Sequence, residues 1–393
     1  MRFLTAGESH GPALTVIIEG MPAGVPLRAD AIDADLRLRQ RGHGRGGRMQ
    51  IEHDTVEILG GVRHGATIGS PLALLIRNRD FANWRDAMVV EGNSADAVIA
   101  ARAVHCPRPG HADLAGGLKY DVHDLRNIVE RASARETAAR MAAGSVARVL
   151  LREFDIEVHG QVRQIGSVVA AAGAVVSSDD PGWAAAAASP VRCADAQAGA
   201  AMVALIDAAR FAKETVGGVF EIHAFGVPPG LGSHVHWDRR LDGLLAQALM
   251  SIPGVKGVEI GLGFAQAALY GSKVHDAIAW GNAAATVPCQ RLTNHAGGLE
   301  GGISNGEPIV LRAVMKPLAT VMQPLPSVDL RTKVAAEAHL ERSDICVVPA
   351  ASVVGEAMVA WVLAAALCEK CGGDTLVEMQ RNYRGYLAQL AEY

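Results

Sequence analysis

The sequence predicts an α/β protein of packed sandwich layers, folded as one large domain over residues 1–393 with a helical tail at about 374–393. Three observations point there. Helical and strand-like segments alternate without a regular βαβ period, which favours layers over a barrel. Half of the residues are hydrophobic and 20% are charged, so the chain can build a core and is not disordered as a whole. No clean linker interrupts it, although 393 residues would leave room for roughly two or three domains.

The elements follow in order. The start reads as a strand, a polar turn (Gly7-Glu8-Ser9-His10-Gly11-Pro12) and a second strand, Ala13 to Glu19. Ile32 to Arg39 is a short helix, and 41–48 (RGHGRGGR) a flexible glycine-arginine loop. Val56 to Val62 and Pro71 to Arg77 are strands. Asp80 to Val104 is a loop with helical pieces, and 106–117 (CPRPGHADLAGG) a rigid loop. Leu125 to Phe154 reads as one long helix, because Ile128, Val129, Ala132, Ala139, Ala142, Val146, Val149 and Leu150 repeat near 3.6. Strands return at 157–172, and Ala171 to Val191 is an alanine-rich surface excursion. Ala196 to Thr215 is a helix, Gly218 to Gly226 a strand, Pro228 to Ser233 a turn, and Arg239 to Met250 a helix. Val258 to Ala267, Pro308 to Met315 and Ile345 to Pro349 are β candidates; Ala351 to Cys371 and 374–392 are helices.

Composition excludes several classes. The net charge of −4 argues against a general nucleic-acid binder, which is normally basic. The longest apolar stretch, Ala357 to Cys368, has twelve residues, short of the roughly twenty of a membrane span. The N-terminus lacks the apolar core of a signal peptide, so the chain reads as cytoplasmic. Cys368 and Cys371 form a lone C-x-x-C at a helix end, read as plain thiols. Gly42 to Gly47 matches G-x-G-x-x-G literally, but no hydrophobic strand precedes it, so it is not a dinucleotide fingerprint. His234 and His236 lack a carboxylate pattern and read as turn histidines, so no metal site is expected.

Other motifs carry chemistry. Arg37, Arg39, Arg41, Arg45 and Arg48 lie among four glycines in 37–48. Guanidinium forks match phosphate and carboxylate oxygens, and glycines let backbone approach an anion. No Phe, Trp or Tyr occurs between residues 4 and 80, so base stacking has no partner there, and a small polyanion fits better than RNA. Arg131 and Arg135 stand four apart and would share one helix face, with Glu130 and Glu136 as ion-pair partners in the plainer reading. Arg108 precedes Pro109-Gly110-His111, and Arg342 precedes Ser343-Asp344. His10 and His111 sit in such loops, and histidine suits proton transfer near neutrality. Asp344 is either a helix cap or a catalytic group. The residues alone indicate an enzyme that binds a multiply anionic small molecule and moves protons with histidines.

The chain resembles the chorismate synthase family. The resemblance rests on Gly7 to Gly11 (GESHG), Gly44 to Arg48 (GRGGR), Arg108 to Asp113 (RPGHAD), Glu130 to Thr137 (ERASARET), Asn294 to Gly306 (NHAGGLEGGISNG) and Arg342-Ser343-Asp344. These run in the family's order over nearly the whole chain. The glycine-arginine loop is similar to that of actinobacterial-type members. The resemblance implies a β-α-β sandwich, a non-Rossmann flavin site and a homotetramer. It also implies a 1,4-anti elimination that turns 5-enolpyruvylshikimate 3-phosphate into chorismate and phosphate, with reduced FMN and no net redox change. Arg39, Arg45, Arg108, Arg135 and Arg342 would hold the substrate. His10, held by Ser9, would protonate the departing phosphate. His111 would protonate or stabilise the reduced flavin, and Asp344 would help flavin N5 take the ring proton. The flavin would use Arg131, Ala132, Ser133, Pro253, Gly254, Gly301, Lys316, Pro317, Leu318, Ala319, Thr320 and Arg342. If the chain reduces its own flavin, NADPH is the reductant and Arg39 and Arg45 its contacts; the residues do not choose between that and an external reductase. Two departures stand out: Lys213-Glu214-Thr215 before Gly217-Gly218, and Gly254 where alanine is usual. The alternatives are another flavin- or phosphate-binding enzyme on this fold, or an RNA contact through 37–48.

Overall fold

Two antiparallel sheets enclose a layer of helices. The computed structural model describes residues 1–47, 51–92, 96–171, 177–281, 288–341 and 343–393. Arg48, Arg342 and part of the alanine-rich excursion (172–176) lie outside the described residues.

The first sheet holds β1 (Arg2–Ala6), β2 (Ala13–Glu19), β3 (Val56–Gly60) and β4 (Leu72–Arg77), in the order β1-β2-β4-β3. Leu4 pairs with Ile17, and Val16 with Leu74. The second holds β5 (Glu157–Ile165), β6 (Val168–Val169), β7 (Gly218–Phe225), β8 (Val255–Ile260) and β9 (Ile309–Met315), in the order β8-β9-β7-β5-β6. Ile222 pairs with Leu311 and Val158 with Ala224.

The main helices are α1 (Ala29–Gln40), α2 (Asp113–Tyr120), α3 (Arg126–Ala132), α4 (Thr137–Arg152), α5 (Pro181–Ala188), α6 (Ala196–Phe211), α7 (Leu241–Met250), α8 (Val348–Cys371) and α9 (Leu376–Ala391). α8 packs on α1 and α4 and against β5 and β7, while α4 also covers β2. Hence α1, α4 and α8 form the middle layer. Strand alternation makes this arrangement work. Leu14, Val16 and Ile18 of β2 and Leu72, Leu74 and Ile76 of β4 are buried, while the paired Leu4 and Ile17 face outward.

Small residues let the middle layer close. A Cβ on Gly144 of α4 would collide with the Cα, Cβ and carbonyl oxygen of Ala357 in α8. Few rings are needed where backbones approach this closely. α8, 24 residues long, is apolar enough to cross a membrane, yet 89% of its most apolar window is buried. Its Glu356 is buried too, ion-paired with Arg148 and Arg192. It is a core helix. Burial pushes the Cys368 thiol, near its end, up to about 11.

Several boundaries differ from the sequence reading; Val258 to Ala267, for one, is strand only to Ile260 and then turns through a 3₁₀ segment at Gly263–Ala268. Residues 125–154 do not form one helix: the chain is extended at Ser133 (φ −69°, ψ 144°), turns through a 3₁₀ segment at Ala134–Glu136, and re-enters α4. The Ser133 hydroxyl accepts the Arg135 N–H and caps that turn. Periodicity misses the break because the apolar stripe continues across it. Ile345 to Pro349 is no strand; α8 begins at Val348 with Pro349 in its first turn, where the missing N–H costs nothing. The 106–117 loop already contains the start of α2. Pro181–Ala188 is a helix capped by Asp180, and its Trp183 is buried against His159. Gly144→Val should lower stability by about 1–3 kcal/mol or more, read as a lower thermal midpoint; an unchanged midpoint would contradict the close approach.

Candidate active site

A cavity of about 520 Å³ opens where both sheets' loops meet the middle helices. Ser9 and His10 enter it from the turn after β1. That turn is tied down by Asn78, whose amide donates to the carbonyls of Glu8 and Gly11. The His10 ring stacks on Trp84 at 3.9 Å, and its Nδ1 lies 2.7 Å from Glu130 Oε1. Glu130 and Trp84 thus hold the His10 ring, and the Ser9 hydroxyl donates to that of Ser133 at 3.0 Å.

Arg39, at the end of α1, and Arg135, just past the Ser133 break, share one carboxylate. Arg39 Nη2 and Arg135 Nη1 each donate to an Asp54 oxygen at 2.6 Å. Arg135 Nε also donates to Asn78 Oδ1 at 2.8 Å. Burial, the largest influence, draws the Arg39 guanidinium down to about 10 against the pull of Asp54. Burial raises Asp54, but Arg39 and Arg135 outweigh it and hold the carboxyl below its usual range. Among the described residues Arg39 Nε and Arg135 Nη2 are buried donors with no hydrogen bond, although Arg135 Nη2 faces Glu52 Oε2 at 3.7 Å.

The segment 106–113 brings in Arg108 and His111. Asp113, at the start of α2, accepts from Arg108 Nε at 2.8 Å and lies 2.5 Å from His111 Nδ1. Burial raises the Asp113 carboxyl, but hydrogen bonds from His111 and Arg108 prevail and place it far below the usual range. Arg108 Nη1 also donates to the Thr320 hydroxyl at 3.0 Å. The glycine-arginine loop meets the start of α8. Arg45 lies 3.2 Å from Asp344 Oδ2, and the Gly46 N–H donates to Oδ1 at 2.5 Å. A Cβ on Gly46 would strike the Ser343 carbonyl oxygen.

The remaining walls are Ala132 and Ser133; Pro253 and Gly254 after α7; and Lys316 to Thr320 after β9. Lys316 donates to the Gly110 carbonyl, which bridges the two loops. Burial and nearby Lys256 lower the Lys316 ammonium from its usual value. Gly254 has φ +91°, a conformation that suits glycine better than the alanine of the family pattern. Thr215 holds the Leu318 carbonyl at 2.9 Å, so the altered Lys213-Glu214-Thr215 segment supports this loop from behind. Val129, Ile252, Met315, Val347, Ala350 and Val354 supply apolar surface.

Two expected site residues lie elsewhere. Arg131 is half-exposed and donates to the Thr5 and Gly7 carbonyls. It therefore does not share a face with Arg135, because the extended Ser133 intervenes and turns the two side chains apart. Gly301 sits in the hairpin turn between Leu299–Glu300 and Ile303–Ser304, outside the cavity lining. Arg342 lies outside the described residues. Asp54, Asp113 and Trp84 have no role in the sequence-based expectation, and Glu130 enters it only as an ion-pair partner of the neighbouring arginines. Asp113 and Glu130 stand inside the quoted motifs; nothing local marks Asp54 or Trp84.

Glu341 edges the cavity and is paired with Arg126 at 2.6 Å. Burial raises its carboxyl, but His339 and Arg126 bring it to about 2, against an ordinary 4.5. A depressed folded value means stability present above 4.5 and lost as pH falls toward 2. Glu341→Gln should therefore flatten the fall of the thermal midpoint between those pH values; an unaltered slope would contradict the pairing.

The comparisons agree with this geometry. A profile of the chorismate synthase family matches residues 1–368. Chorismate synthase of Moorella thermoacetica is 59% identical over 396 residues, covering 99% of this chain and 100% of that protein. That of Aquifex aeolicus is 51% identical, covering 100% and 99%. A crystal structure of chorismate synthase superposes with a TM-score of 0.80 at 43% identity, covering 100% of this chain and 98% of the other. The cavity is thus built from segments that match a known family in order and over full length: the chain belongs to the chorismate synthase family.

Proposed function

We propose that the chain catalyses the formation of chorismate from 5-enolpyruvylshikimate 3-phosphate, as a carbon–oxygen lyase of the shikimate pathway. The observation that carries this reading is the convergence of Arg39, Arg45, Arg108, Arg135 and Lys316 on one cavity with two carboxylate-backed histidines. The substrate has a phosphate and two carboxylates. Guanidiniums held in place by Asp54, Asp113 and Asp344 need no reorganisation to meet it. The buried Arg39 Nε, which has no hydrogen bond among the described residues, suits an arriving anion.

The overall reaction breaks the bond from carbon to phosphate oxygen and a C–H bond on the opposite face, and forms one double bond. His10 is placed to give a proton to the leaving phosphate. His111, between Arg108 and Asp113, is placed to hold a proton near the flavin. Asp344, fixed by Arg45 and the Gly46 N–H, is placed to assist removal of the ring proton. Apolar walls from Val347, Ala350 and Val354 lower the local dielectric on that side and so strengthen these charge interactions.

Reduced FMN is the cofactor this reading puts in the same cavity. Ala132, Ser133, Pro253, Gly254 and Lys316 to Thr320 would hold it, with Lys316 and Thr320 suited to its phosphate and the apolar wall to its ring system. When bound, it supplies electron density to the allylic system and recovers it, so there is no net redox change. Arg131 and Gly301 lie outside this set. If NADPH reduces the flavin, it would draw on Arg39 and Arg45. The outward Leu4 and Ile17 and the exposed Phe264, Tyr270 and Trp280 support assembly into a homotetramer. α8, the one helix among the described residues long and apolar enough to cross a membrane, is buried in the core, and a cytoplasmic location suits the pathway.

An anaerobic assay with chemically reduced FMN tests the proposal. Chorismate and phosphate should appear in equal amounts, and neither should form with oxidised FMN alone; no chorismate under reducing conditions would refute it. His111→Ala and Asp344→Asn should each cut kcat about 10²–10⁴-fold while KM moves less than about fivefold. Steady-state kinetics check this, and a loss confined to KM would assign both residues to binding instead.

A further inference from the structure

One side chain fixes almost everything about His10. Glu130, on α3, is buried. Its Oε2 accepts the His10 backbone N–H at 2.7 Å, and its Oε1 lies 2.7 Å from Nδ1. Its own carbonyl accepts the Ser9 N–H at 3.0 Å. Trp84 covers the imidazole face at 3.9 Å with an interplanar angle of 23°. Arg126, one helical turn before Glu130, places Nη1 at 3.5 Å from the same Oε1 and at 2.6 Å from Glu341.

This geometry dictates where the imidazole proton sits. A backbone N–H can only donate, and so can a guanidinium. Oε2 faces the first and Oε1 the second, so both carboxylate oxygens are acceptors. Against an ionised Glu130, a ring nitrogen 2.7 Å from such an oxygen carries the proton. Flipping the ring by 180° would keep its face on Trp84 but swap this bond for a C–H contact.

We propose that Glu130 is the positioning residue of His10: it keeps a proton on Nδ1 in every charge state and leaves Nε2 as the nitrogen that serves the cavity. The inference rests on the proposed reaction only for the identity of the proton acceptor. In that reaction the imidazolium breaks its Nε2–H bond and an O–H bond forms on the departing phosphate. Neutral imidazole remains, protonated at Nδ1 and still bonded to Glu130. The carboxylate stabilises the imidazolium and selects the tautomer without itself taking the proton. The arrangement has a counterpart across the site, where Asp113 stands 2.5 Å from His111 Nδ1.

The test begins with the unaltered full-length chain. Long-range ¹H–¹⁵N correlation spectra of ¹⁵N-histidine-labelled protein are recorded through the titration of His10, without flavin or substrate. The His10 signals are assigned by their loss in His10→Asn. The expected result is a neutral form protonated at Nδ1; a neutral form protonated at Nε2 overturns the proposal, whatever the enzyme's reaction proves to be. In Glu130→Gln the Nδ1 preference should weaken. Its kcat should fall about 10²–10⁴-fold, the scale of a lost orienting carboxylate, with KM changed less than about threefold. Added to His10→Asn, the same substitution should cost less than about twofold more, because its effect passes through His10. Multiplying losses in the double variant would overturn the positioning role. Should Glu130→Gln fail to fold, the tautomer in the unaltered protein still decides. Absence of chorismate formation by the unaltered protein would strike the proposed function alone.

Discussion

Asp54 between Arg39 and Arg135 is the interaction on which the site depends. A pocket for a polyanion needs several guanidiniums facing inward, yet like charges held a few ångströms apart in a low-dielectric interior repel strongly. An isolated buried charge is also costly to desolvate. One carboxylate with both oxygens engaged at 2.6 Å answers both problems. It offsets the repulsion, fixes two guanidinium planes, and still leaves Arg39 Nε without a hydrogen bond among the described residues, while Arg135 Nη2 faces Glu52 at 3.7 Å. The same solution recurs at Asp113 under Arg108 and at Asp344 under Arg45. The carboxylates therefore set where the anion binds as much as the arginines do.

This pattern makes demands on the backbone. Asp54 lies before β3, Arg39 ends α1 and Arg135 follows α3, so three separate segments must converge. The break at Ser133 makes that convergence geometrically feasible. A continuous helix from 125 to 154 would carry Arg131 and Arg135 on one face, and the structure instead sends Arg131 to Thr5 and Gly7 and Arg135 inward. The serine caps the new turn and bonds Ser9, so the break also helps set the His10 turn. The cavity floor is the middle helical layer, whose tight spacing depends on contacts such as Gly144 against Ala357.

The sequence by itself determined the layered α/β class, most strand and helix positions, and a polyanion site rich in arginine and histidine. These are local or compositional properties: hydrophobic period, glycine-rich turns, and residue chemistry repeated in quoted motifs. The family resemblance also assigned Arg39, Arg45, Arg108, Arg135, His10, His111, Lys316 and Asp344 to one site, and the cavity lining contains each of them. Tertiary structure alone decided which partner each charge has. Asp54 and Trp84 carry no local mark, because a carboxylate ahead of a strand or a lone indole in a loop looks the same whether it faces solvent or an arginine. The Ser133 break was hidden because an apolar stripe reads alike in one helix or two. Pairing across 81 residues, as between Arg135 and Asp54, is set by how the layers close, and no periodicity along the chain encodes it.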